Sequence, residues 1–382
     1  MKAISVRAAG VAAIILLFVC VAGAQQPEAE RKPAPQLTTD DVAPRGQAGV
    51  GVSGTLALLP PSDLIAVLDV GRILDALLPK LREMAPTEVA KMTKEMDEFT
   101  SKTGIDPFKI RTAVIGVRLP NGNFKGSGAV IFQGLELDPQ KLAAVMKTAT
   151  GEIKLLTHQG KPFFVISRPK DKAPSATLPG MGIEEIAFAP LGQQGVVIGD
   201  AGSVKSMLEA PSGSDQAGSN ALLGEALQET SPSGWIRFAA NLSDSFRQEL
   251  KKQGSAFGPF AAVKVLSGSL SFDGADGSAA TLDLKMRTSS SDEAAKLESH
   301  LKDLVIAGKT LLGDDKDPQM QAINQLFDGI RIAAQANDVA LSLSVPKELI
   351  DRFSQSKKAP TMSTNDRGRS TSKTRRARGG NR

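Results

Sequence analysis

Apolar runs of strand length return in pairs along this chain, each pair separated by residues suited to a tight turn, and this pairing restricts the sheet it can build to an antiparallel one. Residues 110–119 and 124–133 flank Pro120-Asn121-Gly122-Asn123, residues 186–189 and 195–198 flank Gly192, and residues 263–272 and 280–288 flank Asp273-Gly274-Ala275-Asp276-Gly277. Asn, Asp and Gly tolerate the positive φ that such turns require. A last pair, 330–334 with 339–345, follows the same pattern. Between the pairs the apolar spacing changes to a helical period. Ile73, Leu74, Leu77, Leu78 and Leu81 mark one helix, which Pro79 is expected to kink or end. Val89, Met92, Met96 and Phe99 mark a second, Asp138-Pro139 opens a third with Leu142, Val145 and Met146 on its face, and residues 203–209 give a short fourth. Residues 242–252, 292–312, a stretch opened by Asp317-Pro318, and 346–353 complete the set.

Both halves of this order read strand, helix, hairpin, helix, hairpin, helix, and their endings agree best, 186–208 against 330–350. The fold class predicted is therefore α+β, with two similar units, each an antiparallel sheet with helices packed mainly on one face. The corresponding boundaries are a signal peptide over 1–24, a flexible linker over 25–53, a first unit over 54–210, a linker over 211–222, a second unit over 223–355 and a disordered basic tail over 356–382. The linkers are assigned on Pro, Gly and Ser without apolar periodicity, and the tail on the scarcity of apolar residues after Met362.

The single cysteine, Cys20, lies within an apolar run that follows Lys2 and Arg7 and precedes Ala22-Gly23-Ala24, the small residues read before cleavage between Ala24 and Gln25. That run is short of the roughly 20 residues needed to span a bilayer. Phe18-Val19 are too bulky for lipidation of Cys20. The chain is therefore expected to be exported, periplasmic or secreted, with no transmembrane span in the mature form and no thiol to form disulfides, so that burial alone must stabilise it. Removing 24 of the 382 residues leaves 358, enough for two ordinary cores.

Leu59-Pro60-Pro61-Ser62-Asp63 ahead of a strand ending Asp69-Val70, Leu77-Leu78-Pro79 in the next helix, and Thr103-Gly104-Ile105-Asp106 before the following strand resemble a family of exported bacterial proteins of unknown function. The resemblance implies a bacterial envelope or secreted protein and brings no catalytic residues with it.

Motifs with chemistry are sparse. Gly49, Gly51 and Gly54 match the spacing of a dinucleotide loop, but Leu58-Leu59-Pro60-Pro61 follow where a helix N-terminus is needed. Ser167 with Lys170, and Lys102-Thr103-Gly104, match pieces of the serine acyl-enzyme motifs in the wrong order. The two histidines, His158 and His300, are too few for a Cys/His metal centre, and each is expected at a surface or boundary. Asp314, Asp315 and Asp317 lack the ligand alternation of a calcium loop, and Asp273 and Asp276 read as turn residues. No catalytic residue, cofactor or metal site is assigned. A carboxylate-based hydrolase is the remaining enzymatic alternative. With no Tyr and one Trp, stacking of sugars or nucleobases is disfavoured.

Charge is unevenly placed. The net formal charge of +5 hides a tail in which Lys357, Lys358, Arg367, Arg369, Lys373, Arg375, Arg376, Arg378 and Arg382 face only Asp366, so the rest of the mature chain is mildly acidic. Outside the cytoplasm such a tail is expected to meet anionic lipid, lipopolysaccharide or a wall polymer, not nucleic acid. The function expected is that of an exported non-enzymatic binding or interaction protein of the bacterial envelope. The alternative is a periplasmic carrier of a lipid or other apolar ligand, for which Met84, Met92 and Met96 with Phe99 supply an adaptable apolar stripe.

Overall fold

Period-two alternation and short turns do produce antiparallel pairing, and the pairing extends further than either half alone would take it. The computed structural model describes residues 52–118, 127–135, 152–167, 185–192, 195–209, 220–252, 254, 257–273, 279–312, 318–347 and 349. Its strands are β1 (Leu64–Asp69), β2 (Thr112–Arg118), β3 (Ser127–Gln133), β4 (Glu152–His158), β5 (Lys161–Ser167), β6 (Glu185–Pro190), β7 (Val196–Asp200), β8 (Ile236–Asn241), β9 (Val265–Asp273), β10 (Ala279–Arg287), β11 (Ile330–Gln335) and β12 (Asp338–Val345). Among the described residues the α-helices are α1 (Val52–Leu56), α2 (Val70–Met84), α3 (Pro86–Thr103), α4 (Ala201–Glu209), α5 (Ala221–Gln228), α6 (Asp244–Lys252), α7 (Ser291–Leu312) and α8 (Pro318–Gly329). The fold is thus mixed α+β around a large antiparallel sheet.

All twelve strands belong to that one sheet, in the order β11-β12-β10-β9-β8-β1-β2-β3-β7-β6-β5-β4. The seam is the antiparallel pair β1–β8, in which Leu64 faces Ala240 and Leu68 faces Ile236. Backbone bonds from Asn241 to Asp63 and from Asp69 to Trp235, each 2.7 Å, carry the ladder past both strand ends. Outward from the seam the strands run β1-β2-β3-β7-β6 on one side and β8-β9-β10-β12-β11 on the other, with β5-β4 added beyond β6.

Because cross-strand partners share a face, the registers sort every strand residue onto one of two faces. On the first face Ile65, Val67, Val114, Ile131, Val165, Ala187 and Val197 are buried with Val204, Met207 and Leu208 of α4 and Leu223, Ala226 and Leu227 of α5. On the second face Met286 and Val339 are buried with Ala294, Leu297 and Leu301 of α7. Farther along that second face, Phe164 and Phe188 stack with centroids 4.8 Å apart and close over Ile105, which follows α3. Helices therefore cover both faces of the sheet, α4 and α5 on one and α7 on the other.

Three local features differ from the sequence reading. Helix α2 continues through Pro79 to Met84. Asp75, whose carbonyl loses its partner to the proline, is exposed, as is Pro79 itself, so the break lies on the solvent side of the helix. Helix α5 arises directly after the Ser/Gly/Pro stretch and buries Leu223, Ala226 and Leu227 within the core; its few apolar residues set up no clear period. Asn220 stands at its N-cap without capping it by its side chain. Instead its Oδ1 accepts from the Ser62 backbone at 3.0 Å, and its Nδ2 donates to the carbonyls of Pro60 at 3.1 Å and Leu59 at 3.3 Å. The expected turn at 120–123 and the expected helix from Asp138 lie outside the described residues, as do the leader and the tail.

Asn220 is 4% exposed, and its removal takes this partner from the Ser62 N–H and the buried Leu59 carbonyl, while the Pro60 carbonyl keeps the Ser62 hydroxyl at 2.7 Å. Asn220→Ala is expected to lower stability to urea by about 2 kcal/mol. Asn220→Asp is expected to give no rescue, since a carboxylate oxygen would then face those carbonyls. Equilibrium unfolding of both variants checks this.

Candidate ligand-binding surface

The second face of the sheet is apolar from one edge to the other. Its middle row begins with Ile332, Leu341, Leu284, Gly268 and Phe238 on strands β11 to β8. It crosses the seam to Ala66 and continues through Ile115, Val130, Ile198, Phe188, Phe164 and Leu155 on β4. No polar side chain interrupts these twelve strands. A neighbouring row runs from Leu343 through Leu282, Leu270, Ile236, Leu68 and Ala113 to Phe132 and Val196.

The first face behaves otherwise. Its corresponding row reads Arg331, Ser342, Asp283, Ser269 and Arg237 up to the seam, then Val67, Val114, Ile131, Val197 and Ala189 beyond it. Polar side chains thus occupy the β8–β12 flank and apolar ones the β1–β7 flank. Burial pulls the Arg237 guanidinium below its ordinary pKa, while Asp69 opposes the shift.

Coverage of the apolar face is uneven. Helices α7 and α8 lie over β11 and β12. Toward the centre, Phe238, Leu270, Leu282, Leu284, Leu64, Ile115, Val117, Val130 and Phe132 each remain partly exposed. The amphipathic pair α2–α3 behaves alike, for Ile73, Leu74, Leu77, Leu78, Met92 and Met96 are only partly buried, and Phe99 is 44% exposed. At the β4 edge Leu155 is 61% exposed, with Ile186 at 39% on the same face. Such a surface removes an apolar ligand from water at roughly 25 cal/mol per Å² buried.

The polar face carries one closed network. Lys285 Nζ lies 2.8 Å from both Glu229, just past α5, and Asp338 at the start of β12. Arg287 reaches the same two carboxylates, Asp338 at 2.9 Å and Glu229 at 3.0 Å. Lys285 and Arg287 sit two residues apart on β10 and so point the same way. Hydrogen bonds from Lys285 hold Glu229 below the usual carboxylate range. Burial alone would raise Asp338, but bonds from Arg287 and Lys285 outweigh it and bring its pKa down. Lys285 and Arg287 are shifted upward, first by the hydrogen bond to Asp338.

The residues singled out in the sequence fall into structural places. His158 ends β4, and its Nε2 is 2.6 Å from Glu209 at the end of α4. His300 on α7 meets the Phe260 ring edge-on at 6.0 Å. Gly104 of Lys102-Thr103-Gly104 is the left-handed C-cap of α3, with φ 71°. Gly54 belongs to α1, Ser167 ends β5 opposite Glu185, and Asp273 ends β9. Gly49, Gly51, Lys170, Asp276, Asp314, Asp315 and Asp317 lie outside the described residues, as do Ala24, Gln25 and the nine basic residues of the tail. Among the described residues no group of three or more His, Cys, Asp or Glu side chains could hold a metal ion, and no helix is long and apolar enough to cross a membrane.

No protein-family profile matches the chain, and no curated protein matches it. Among solved structures it is similar to crystal form I of TP0453, with a TM-score of 0.35 and 7% identity over 78% of this chain and 96% of that one, a likeness too slight to carry an argument.

The charged network gives a signed expectation. The two depressed carboxylates contribute stability that is present above their unfolded pKa values and lost as pH falls through the folded ones, so the loss is confined to the acid side, below about pH 4. Glu229→Gln is expected to cost about 1 kcal/mol at pH 7, since the site is about a third exposed and partly screened by solvent. The gap between Glu229→Gln and the parent should close as pH falls toward 3, which urea unfolding at several pH values measures.

Proposed function

We propose that this is an exported, non-enzymatic binding protein of the bacterial envelope that holds an amphiphile, with the acyl or other apolar part against the second face of the sheet. The observation that carries the reading is the unbroken apolar row across twelve strands, partly exposed at its centre although α4 buries the opposite face over β3, β7 and β6 and α5 buries it over β8 and β9. Ordinary sheets with one solvated face alternate apolar and polar residues. The β1–β7 flank is apolar on both faces, and α4 packs on the first of them. Met92 and Met96 on α3 are partly exposed and of the adaptable kind that accommodates varied chains.

The matching connectivity on either side of the β1–β8 seam supports an origin by duplication, with β1, β2, β3, β7 and β6 corresponding to β8, β9, β10, β12 and β11. The leader-like N-terminus supports export, and the basic tail supports contact with anionic lipid, lipopolysaccharide or wall polymer.

A fluorescent fatty acid titrated into the purified full chain is expected to bind saturably. Phe238→Ser and Ile115→Ser are each expected to weaken it about tenfold, whereas Ser342→Ala, on the polar face, should not. Absence of saturable binding by the parent chain would refute the reading. Separately, deletion of 356–382 is expected to reduce association with envelope fractions at low salt and to make little difference at high salt; unchanged association under both conditions would remove the tail from the account.

A further inference from the structure

Away from the apolar face, a cleft of about 270 Å³ opens between α6, the short 3-10 turn Gly258–Ala262 and the first turns of α7. At about 30 Å³ per water it has room for several waters or one small ion. Pro259, Ala261, Ala262 and Leu297 give it apolar walls, and Arg247, Lys251 and Lys296 bring three cations to it. The fold makes little use of those cations. Arg247 pairs through Nη2 with the exposed Asp244, yet its Nε is buried and has no hydrogen-bond partner. Lys251 stands one turn farther along α6, and like charges at that spacing destabilise a helix. Among the described residues neither Lys251 nor Lys296 has an ion pair or hydrogen bond. The one carboxylate in the lining, Glu293, already accepts the Ser289 backbone N–H at 3.0 Å.

A guanidinium and two ammonium groups around one cleft, the ammonium groups without an ion pair among the described residues, and apolar walls that strengthen electrostatic attraction all favour the same class of ligand. We infer that this cleft binds a phosphate group, carried either by free phosphate or by a lipid headgroup. The Arg247 guanidinium, Lys251 and Lys296 together neutralise the phosphate charge. The inference does not depend on the apolar face holding an acyl chain.

Calorimetric titration of the full chain at constant ionic strength tests it, with inorganic phosphate as one probe and dihexanoyl phosphatidic acid below its micelle concentration as the other. At least one probe is expected to bind saturably, and the double variant Lys251→Gln/Lys296→Gln should bind it about tenfold more weakly. Since neither lysine bonds to the described fold, that variant is expected to unfold with the parent's midpoint. Arg247→Gln, which removes the third cation, should weaken binding further. Saturable binding of inorganic phosphate assigns the site to the free ion's chemistry, and binding of the lipid alone assigns it to a headgroup. The inference fails if neither probe binds the parent, or if the double variant binds both as the parent does. Ile115→Ser separates this result from the preceding one, because it should impair the fatty-acid probe and leave phosphate binding unchanged.

Discussion

The β1–β8 pair holds the two flanks of this molecule in one sheet. Its register is short, from Leu64 opposite Ala240 to Leu68 opposite Ile236, and it joins strands from distant parts of the chain. Closing so long a loop is entropically costly, and the chain reinforces the junction locally. The Asn241–Asp63 and Asp69–Trp235 bonds lengthen the ladder at either end, and Asn220 ties the start of α5 to the Leu59–Ser62 turn ahead of β1. Removing this pairing would expose two central strands as edges, each a template for unwanted association.

The seam also sets what each face can do. Register at β1–β8 places Arg237 beside Val67 on one face and Phe238 beside Ala66 on the other. A slip of one residue would exchange the faces of an entire flank. It would break the apolar row at its centre and push Arg237 and Ser269 among Leu and Ile side chains. The register observed keeps the two central rows of the second face apolar and confines the change from polar to apolar on the first face to the junction itself. Helix α4 then has an apolar floor on β3, β7 and β6, while α5 lies over β8 and β9 beside the seam, where Ala239 and Val265 join its core cluster.

Much of this is legible in local sequence. Leu266, Leu270 and Phe272 alternate with Ser267, Ser269 and Ser271, and Leu282, Leu284 and Met286 alternate with Thr281, Asp283 and Lys285, so period two alone marks the apolar face of β9 and β10. Hairpin partners follow from their turns. The seam is not legible, because nothing in Leu64–Asp69 or Ile236–Asn241 names the other. Continuous apolar runs such as Ala113-Val114-Ile115 do not say which face is packed. Helix α5 and the role of Asn220 are hidden for the same reason, since their value lies in contacts with residues far away in the chain. Period two places Lys285 and Arg287 on one face, but their acidic partners come from the end of α5 and the start of β12, which only folding brings together.

The two cationic groups of the β8–β12 flank show how pairing separates architecture from binding. Lys285 and Arg287 alternate with Glu229 and Asp338 in a closed set, each cation touching both acids, so an incoming anion would have to displace a carboxylate already held at about 3 Å. Exposure adds little there, because the charge is cancelled within the site. Around the cleft beside α7 the balance is reversed. Arg247 spends one nitrogen on an exposed Asp244 and keeps another buried and unpaired, while Glu293 is engaged by a backbone N–H. Lys251, in the last turn of α6, is favoured by the helix dipole and opposed by Arg247 one turn away, so the two local effects on it offset each other.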